Sequence, residues 1–279
     1  MEVRPQPRVL VVGNLVLDRT AGGWAPGGPA LYTARMAAAL GARVLLRANV
    51  CPEFDRGVLS GLDLALLSAH RCARYENVYD DGGNRRQRLL DPGEPLPVAD
   101  LPECDVLLLA PAFHELASPP PSPRAQVVAA ALQGLLRASR PDGTVVPRTD
   151  ASRAVRGFAR PGWFVFFSEE DAVDPEGLAR ELAGQGAVVF LTRGWQGAER
   201  FRGSERSTFP AVPARKVVDP TGAGDCFAAA FLVTLVQTGD EARAIAAALV
   251  AGALAVEGEG LAGVPTSEEL ARRLQEVAA

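Results

Sequence analysis

The sequence predicts an α/β protein, an αβα sandwich around a mainly parallel sheet with a small β lid, and three observations lead there. Apolar, β-branched runs of strand length recur along the 279 residues without clean two-residue alternation, as in strands buried on both faces. Helix-like segments lie between these runs, as the crossovers of a parallel sheet require. Two polar segments, about 14–26 and 71–92, interrupt the alternation and hold too little apolar surface for a second core. One domain over 1–279, with those two segments as its lid, accounts for the whole chain.

In chain order, "RVLVVG" (8–13) is the first strand and 14–26 the first polar segment. "PALYTARMAAAL" (29–40) predicts a helix, with Pro29 in its first turn and Gly41 closing it. "RVLLRA" (43–48) is the next strand, and 71–92 reads as a polar hairpin turning at "DDGGN". "DVLLLAP" (105–111) is a strand, whereas "SPPPSPR" (118–124) is a loop because consecutive prolines exclude helix and sheet alike. "QVVAAALQGLLR", from Gln126, fits either a helix or a strand followed by a turn. "WFVFF" (163–167) and "AVVFLT" (187–192) are strands flanking a helix over 175–183, which starts at Pro175 and is closed by Gly184. Three helices follow, at about 223–237, 240–256 and 267–277, the last opened by "TSEE" with its N-cap and early acids.

Composition narrows the partners. A formal net charge of −4, with arginines scattered and Lys216 the only lysine, predicts neither nucleic acid nor an anionic membrane as partner. No apolar run is long enough to span a bilayer, and "MEVRPQP" lacks the apolar centre of a secretory signal. Cys51, Cys72, Cys104 and Cys226 lie far apart without metal-ligand spacing, so a reduced, cytoplasmic chain is expected.

The chemistry concentrates in "VVDPTGAGDCFAAAF" (217–231), a glycine loop feeding the start of a helix. Free N–H groups and the helix dipole make such a junction an anion site, and glycines let the backbone approach without a Cβ in the way. Asp225 would repel a merely bound anion; it makes sense as a base that takes a proton from a hydroxyl attacking phosphorus. An N-capping Asp on a buried helix is the alternative, and the second acid with two glycines weighs against it. Other nucleotide-binding patterns do not fit: there is no GxxxxGK[ST], the dinucleotide fingerprint lacks its third glycine, and no HRD or DFG set occurs.

"VVDPTGAGDCFAAAFL" (217–232) resembles the C-terminal signature of the PfkB, or ribokinase-like, carbohydrate kinases, and "APGGPALYTARMAAALGARVLLRANV" (25–50) resembles their N-terminal double-glycine segment. The resemblance runs from about 8 to 277 and implies ATP-dependent phosphorylation of a hydroxyl on a small sugar or cyclitol. It implies Asp225 as catalytic base, with the amides of Gly222, Ala223 and Gly224 as anion hole. Thr192, Arg193, Gly194, Gly197 and Thr221 become ATP contacts. Asn14, Asp18, Gly27 and Gly28 become acceptor contacts.

Two positions depart from the family pattern. Ser168 and Asp171 stand where the family has an Asn-x-x-Glu motif for Mg2+, which they would serve through water, with Glu170 as rival. Tyr32 stands where many sugar kinases of the family have Asn, narrowing the pocket or stacking on a planar substrate, with Tyr75, Tyr79 and Trp24 as further wall. A nucleoside acceptor, or a non-catalytic sugar-binding relative, are the alternatives. The resemblance also implies a homodimer through the lid, and a monovalent cation near 256–263 with the Asp219 segment.

Overall fold

The computed structural model describes residues 6–20, 22–79 and 85–278. The leading "MEVRP", the "DDGGN" turn, and the side chains of Tyr79, Arg85 and Arg86 lie outside the described residues. From the N-terminus the elements are β1 (Arg8–Val12), β2 (Val16–Thr20), β3 (Gly23–Gly27), α1 (Pro29–Ala39), β4 (Arg43–Val50), β5 (Asp63–Ser68), β6 (Ala73–Tyr79) and β7 (Arg85–Pro92). There follow β8 (Cys104–Leu109), β9 (Ala125–Ala131), α2 (Gln133–Leu136), β10 (Arg137–Ser139), β11 (Val145–Pro147), α3 (Ala151–Val155), β12 (Phe164–Ser168) and α4 (Pro175–Gly184). Then come β13 (Val188–Thr192), β14 (Ala198–Arg202), β15 (Glu205–Phe209), α5 (Ala223–Thr238), α6 (Glu241–Ala255) and α7 (Ser267–Ala278).

Nine strands form the central sheet in the order β15-β14-β13-β12-β9-β8-β1-β4-β5. Every pairing from β5 to β13 is parallel, and only the β13–β14–β15 end is antiparallel. The missing alternation has its expected cause: Val9 and Val11 of β1 pack into the core shared with α1 and α5, while Leu10 and Val12 pack into the core shared with α3 and α4. The Gln126 segment resolves as a strand because β9 is needed between β8 and β12, pairing with both. The glycine closing α4 is Gly186, at φ 99°, two residues beyond the expected Gly184, which ends inside the helix. Thr266 opens α7 as anticipated, accepting from the Glu269 amide (3.2 Å) while Glu269 accepts from the Thr266 amide (2.9 Å).

The two polar segments come together as a separate four-stranded sheet, β3-β2-β6-β7, in which Asp18 of β2 lies between Ala25 and Tyr75. The expectation that all four cysteines are reduced is overturned. Cys51, just after β4, and Cys72, just before β6, are joined by a disulfide with a Cα–Cα distance of 5.3 Å. Their separation of 21 residues gave no hint of contact, because it is the parallel pairing of β4 with β5 and of β2 with β6 that returns the chain to the same point. Only Cys104 and Cys226 are free thiols, both buried.

Candidate active site

Helix α5 is held against the sheet by aromatic rings. Phe166 and Phe190, stacked at 5.4 Å, meet Phe227 and Phe231 of α5 edge-on or tilted, at 4.6–6.3 Å. This anchor begins two residues after Asp225 and fixes where the helix starts. The N-cap is Gly222, in the left-handed region at φ 81° and with no side-chain cap, so Asp225 sits inside the first turn and is not the capping residue. The Ala223 amide donates a long bond to the Pro220 carbonyl (3.3 Å), and the Gly222 and Gly224 amides have no acceptor within the described protein. The Thr221 amide is taken by Asp219 Oδ1 (2.9 Å), and Asp219 Oδ2 accepts from the Gly260 amide (3.1 Å). The Val256 carbonyl accepts from Val218 (2.7 Å) and Asp219 (3.3 Å). Asp219 thus clamps the glycine loop onto the 256–263 segment, whose peptide groups are engaged with that loop.

Asp225 is partly open to solvent, yet its carboxyl is surrounded mostly by protein. That burial pushes its pKa up to about 7; the positive charge of Arg137 opposes the rise and the negative charge of Asp171 adds to it. A carboxyl poised there exchanges protons near neutrality, as a general base should.

Tyr32 of α1 sits beneath the loop, 3% exposed. A Cβ on Gly222 would overlap its ring, and one on Gly260 would stand 3.7 Å from its hydroxyl. Burial holds its phenol protonated, reinforced by the charges of Asp18, Asp219 and Asp225. The ring is therefore a packed support shared by the loop and the acceptor side, with no face open for stacking on a substrate.

On that acceptor side, Gly27 approaches Asp18 so closely that a Cβ would overlap Asp18 Oδ2, and a Cβ on Gly28 would meet Val16. Asp18, Gly27, Tyr32, Gly222 and Asp225 are thereby brought together. Asn14 is not among them. It is buried, its Nδ2 donating to the Glu94 carbonyl (2.7 Å) and its Oδ1 accepting from the Asn49 amide (3.3 Å), a loop-holding arrangement. Tyr75 is also buried, its hydroxyl donating to the Ala112 carbonyl (2.8 Å). Trp24 is half exposed and lies under the Arg74 guanidinium at 5.0 Å. A cleft of about 680 Å3, lined by Arg19, Thr20, Glu76 and Asn77 of the small sheet, separates it from Val218, Asp219 and Glu259.

The expected donor side is less open. Arg193 is matched by three carboxylates, Glu199 (2.8 Å), Glu169 (3.2 Å) and Glu176 (3.4 Å), with Arg206 bridging the same group. Gly197, at φ 105°, is required by the β14–β15 hairpin, since a Cβ there would overlap the Phe209 carbonyl. Gly194 (φ 50°) has no neighbour that a Cβ would meet, and Thr192 makes only a 3.5 Å bond to the Phe167 carbonyl. Replacing Arg193 with Ala is expected to cost about 1–3 kcal/mol of stability in thermal or denaturant unfolding. The KM for ATP should stay within about threefold of wild type, because the charge is already neutralised.

Ser168 and Asp171 close a capping box: the Ser168 amide donates to Asp171 Oδ2 (2.7 Å), and Ser168 Oγ accepts from the Glu170 amide (3.3 Å). Burial raises the pKa of Asp171, against the influence of Arg137 and of hydrogen bonds from Ser168 and Gln133. Among the described residues no three carboxylate, His or Cys groups gather as a metal cluster. Ser168 and Asp171, spent on the Glu170 and Ser168 amides, do not fit a direct magnesium site.

Gln133 and Arg137 also face this region, and sequence reasoning missed both. They lie in the stretch whose periodicity was indecisive, and nothing in their spacing marks them out from the many other polar residues.

Comparison with known proteins agrees with this architecture. Residues 164–267 match the model described as pfkB family carbohydrate kinase. The chain is 29% identical over 226 residues to a cytidine kinase of Thermococcus kodakarensis, covering 74% of this chain and 79% of that one. A nucleoside kinase of Methanocaldococcus jannaschii, solved as an archaeal member of the ribokinase family, superposes with TM-score 0.73 at 18% identity, covering 97% of this chain and 99% of the other. The ribokinase of Arabidopsis thaliana, solved with ribose and ATP, superposes with the same score at 17% identity and the same coverage.

Proposed function

The chain belongs to the PfkB family of carbohydrate kinases and is a phosphotransferase, and on that premise we propose that it transfers the terminal phosphoryl group of ATP to a hydroxyl of a small sugar or cyclitol. One observation carries this reading: Asp225 lies in the first turn of a helix capped by Gly222, beside the Gly222 and Gly224 amides, which have no acceptor among the described residues. In this reading Asp225 takes the proton of the attacking hydroxyl as the oxygen meets phosphorus. The Gly222 and Gly224 amides, with Ala223 between them, face the charge that spreads over the transferring group. Asp18 accepts hydroxyls of the acceptor, a geometry natural to a carboxylate, and Gly27 lets the backbone stand close. Donor contacts belong to Thr192, Gly194 and Thr221, with Arg193 left to its carboxylates and Gly197 to the hairpin. Ser168 and Asp171 would reach a magnesium ion only through water, and the ion would neutralise phosphate charge.

The small sheet acts as a lid in this reading, closing its 680 Å3 cleft over the acceptor and keeping water from ATP. Two copies pair through its outer strand β3 in the cytoplasm, since the other end, β7, is covered by the Gly143–Thr144 segment. Among the described residues no helix is long and apolar enough to cross a membrane. A nucleoside acceptor is the second reading, supported by the likeness to the T. kodakarensis cytidine kinase; the burial of Tyr32 removes the stacking argument that first suggested it.

The test is ADP release from Mg·ATP across ribose, other sugars, myo-inositol, cytidine and further nucleosides. Acceptor-dependent ADP formation with one class is the expected result. Tight acceptor binding, read by calorimetry, without turnover for any of them would replace this reading with a non-catalytic binding protein.

A further inference from the structure

Arg137 stands at the one edge of this site to which no role has yet been given. It opens β10 directly after α2, and His114 Nε2 lies 2.6 Å from its carbonyl oxygen, which fixes the backbone there. Its guanidinium lies 5.9 Å from the ring of Tyr75, which is itself held by Ala112 and neighbours Asp18 in the small sheet. Arg137, Gln133, Gln87, Glu170 and Asp171 supply the polar lining of a cavity of about 130 Å3, large enough for a small polar group.

Several partly buried arginines elsewhere are matched by carboxylates, Arg193 by three, Arg200 by Glu241 and Arg273 by Glu257, whereas Arg35 and Arg160 bond only backbone carbonyls and Arg47 keeps a buried Nε without a partner among the described residues. Arg137 is in no ion pair among the described residues, its side-chain contact being with Tyr75. Asp171, in the same cavity, accepts from the Ser168 amide through Oδ2 (2.7 Å), and Gln133 adds to the influences that favour its charged form. The Arg137 guanidinium leans on the Tyr75 ring and reaches its hydroxyl without closing an ion pair, and its planar fork suits phosphate oxygens.

We propose that Arg137, assisted by Gln133, is a phosphate-binding residue of this site, meeting a phosphoryl oxyanion beside Asp225 with the cationic charge that Ser168 and Asp171 do not organise through a metal. The inference rests on the kinase reading above. The phosphoryl group comes either from the donor's terminus or from an acceptor that already carries a phosphate.

Charge at Asp225 gives an independent readout. The groups facing that carboxyl are Arg137 from β10, Asp171 from the turn after β12, Tyr32 from α1 and the neighbouring Cys226. Arg137 alone among them favours the ionised form.

The experiment compares Arg137→Gln and Arg137→Lys with wild type in steady-state kinetics, using ATP with ribose, cytidine, myo-inositol and ribose 1-phosphate, with unfolding temperatures as a control for folding. Arg137→Gln should lower kcat/KM about 10- to 100-fold, the scale of a lost charge-assisted hydrogen bond, with partial recovery in Arg137→Lys. The acid limb of its pH profile should move to higher pH. A loss with every acceptor, seen with ATP as the varied substrate, assigns the donor's phosphoryl group; a loss confined to ribose 1-phosphate assigns the acceptor's. Wild-type turnover together with unchanged kinetics and an unchanged pH limb in a folded Arg137→Gln overturns the inference and leaves the kinase reading standing. Absence of wild-type turnover with all acceptors overturns the kinase reading first. If Arg137→Gln does not fold, Gln133→Leu replaces it, with a smaller loss expected on the same substrate axis and no loss counting against the inference.

Discussion

Asp225→Asn is expected to lower kcat by at least about a hundredfold, the low end for loss of a general base, while making the protein more resistant to heat at pH 8. The two effects share a cause. Burial raises the Asp225 carboxyl to about 7 from an ordinary value of 3.8, so the folded state keeps it neutral where the unfolded chain has already released the proton. The stabilisation from that neutral form is complete below about pH 4 and is lost as pH rises through about 7. Above that, the native protein carries a charge its surroundings oppose, and Asn carries none. The melting-temperature advantage of the variant should therefore grow between pH 4 and 7 and level off beyond. In the wild-type enzyme, kcat/KM should rise with pH through the same region. Asp171→Asn removes a negative neighbour and should move that limb to lower pH, which pH–rate profiles of the two proteins would read directly. Near-normal turnover in Asp225→Asn would remove the base from the mechanism.

Gly222→Ala should be the other severe change, with a loss of about a hundredfold or more in kcat, the scale for a displaced oxyanion donor. Two obstacles coincide there. The backbone is left-handed at φ 81°, and the added Cβ would overlap the buried ring of Tyr32. Strain of this kind costs about 1–3 kcal/mol, so the loop must move, carrying its amides with it. Tyr32→Ala placed in the same chain removes the overlap and leaves the dihedral penalty. It empties a packed site at a cost of about 3–5 kcal/mol, so it should lower the unfolding temperature further and recover little of the activity. Full activity in Gly222→Ala would show that the loop's backbone takes no part in transfer.

Much of this was legible in the residues because its causes are local. Strands buried on both faces announce themselves by unbroken apolar runs, and Pro29, Pro175 and Thr266 mark helix starts by their own backbone chemistry. The 217–232 stretch gave the glycine loop and Asp225 for the same reason. What the sequence hid depends on the return of distant chain. Nothing near Arg193 foretells that Glu169, Glu176 and Glu199 converge on it. Nothing near Tyr32 tells that a ring placed to face a substrate is instead roofed by Gly222 and Gly260. Asn14 misled in the same way, its amide consumed by Glu94 and Asn49 across the fold. The short strands β10 and β11, three residues each, fall below the length at which a pattern can be read.

The Cys51–Cys72 bond has a consequence for the rim of the molecule. Between its two sulfurs runs β5, the outermost strand at one end of the nine-stranded sheet, with Leu64 exposed along it. Such a strand is ordinarily the part of a sheet that peels away first or is traded with a neighbouring copy. Here it belongs to a covalent ring, so peeling it releases a closed loop and never a free arm. In the chain-entropy account, a ring of this size restricts the unfolded chain by about 3 kcal/mol. Strand exchange at that rim is closed off by topology for as long as the bond stays oxidised.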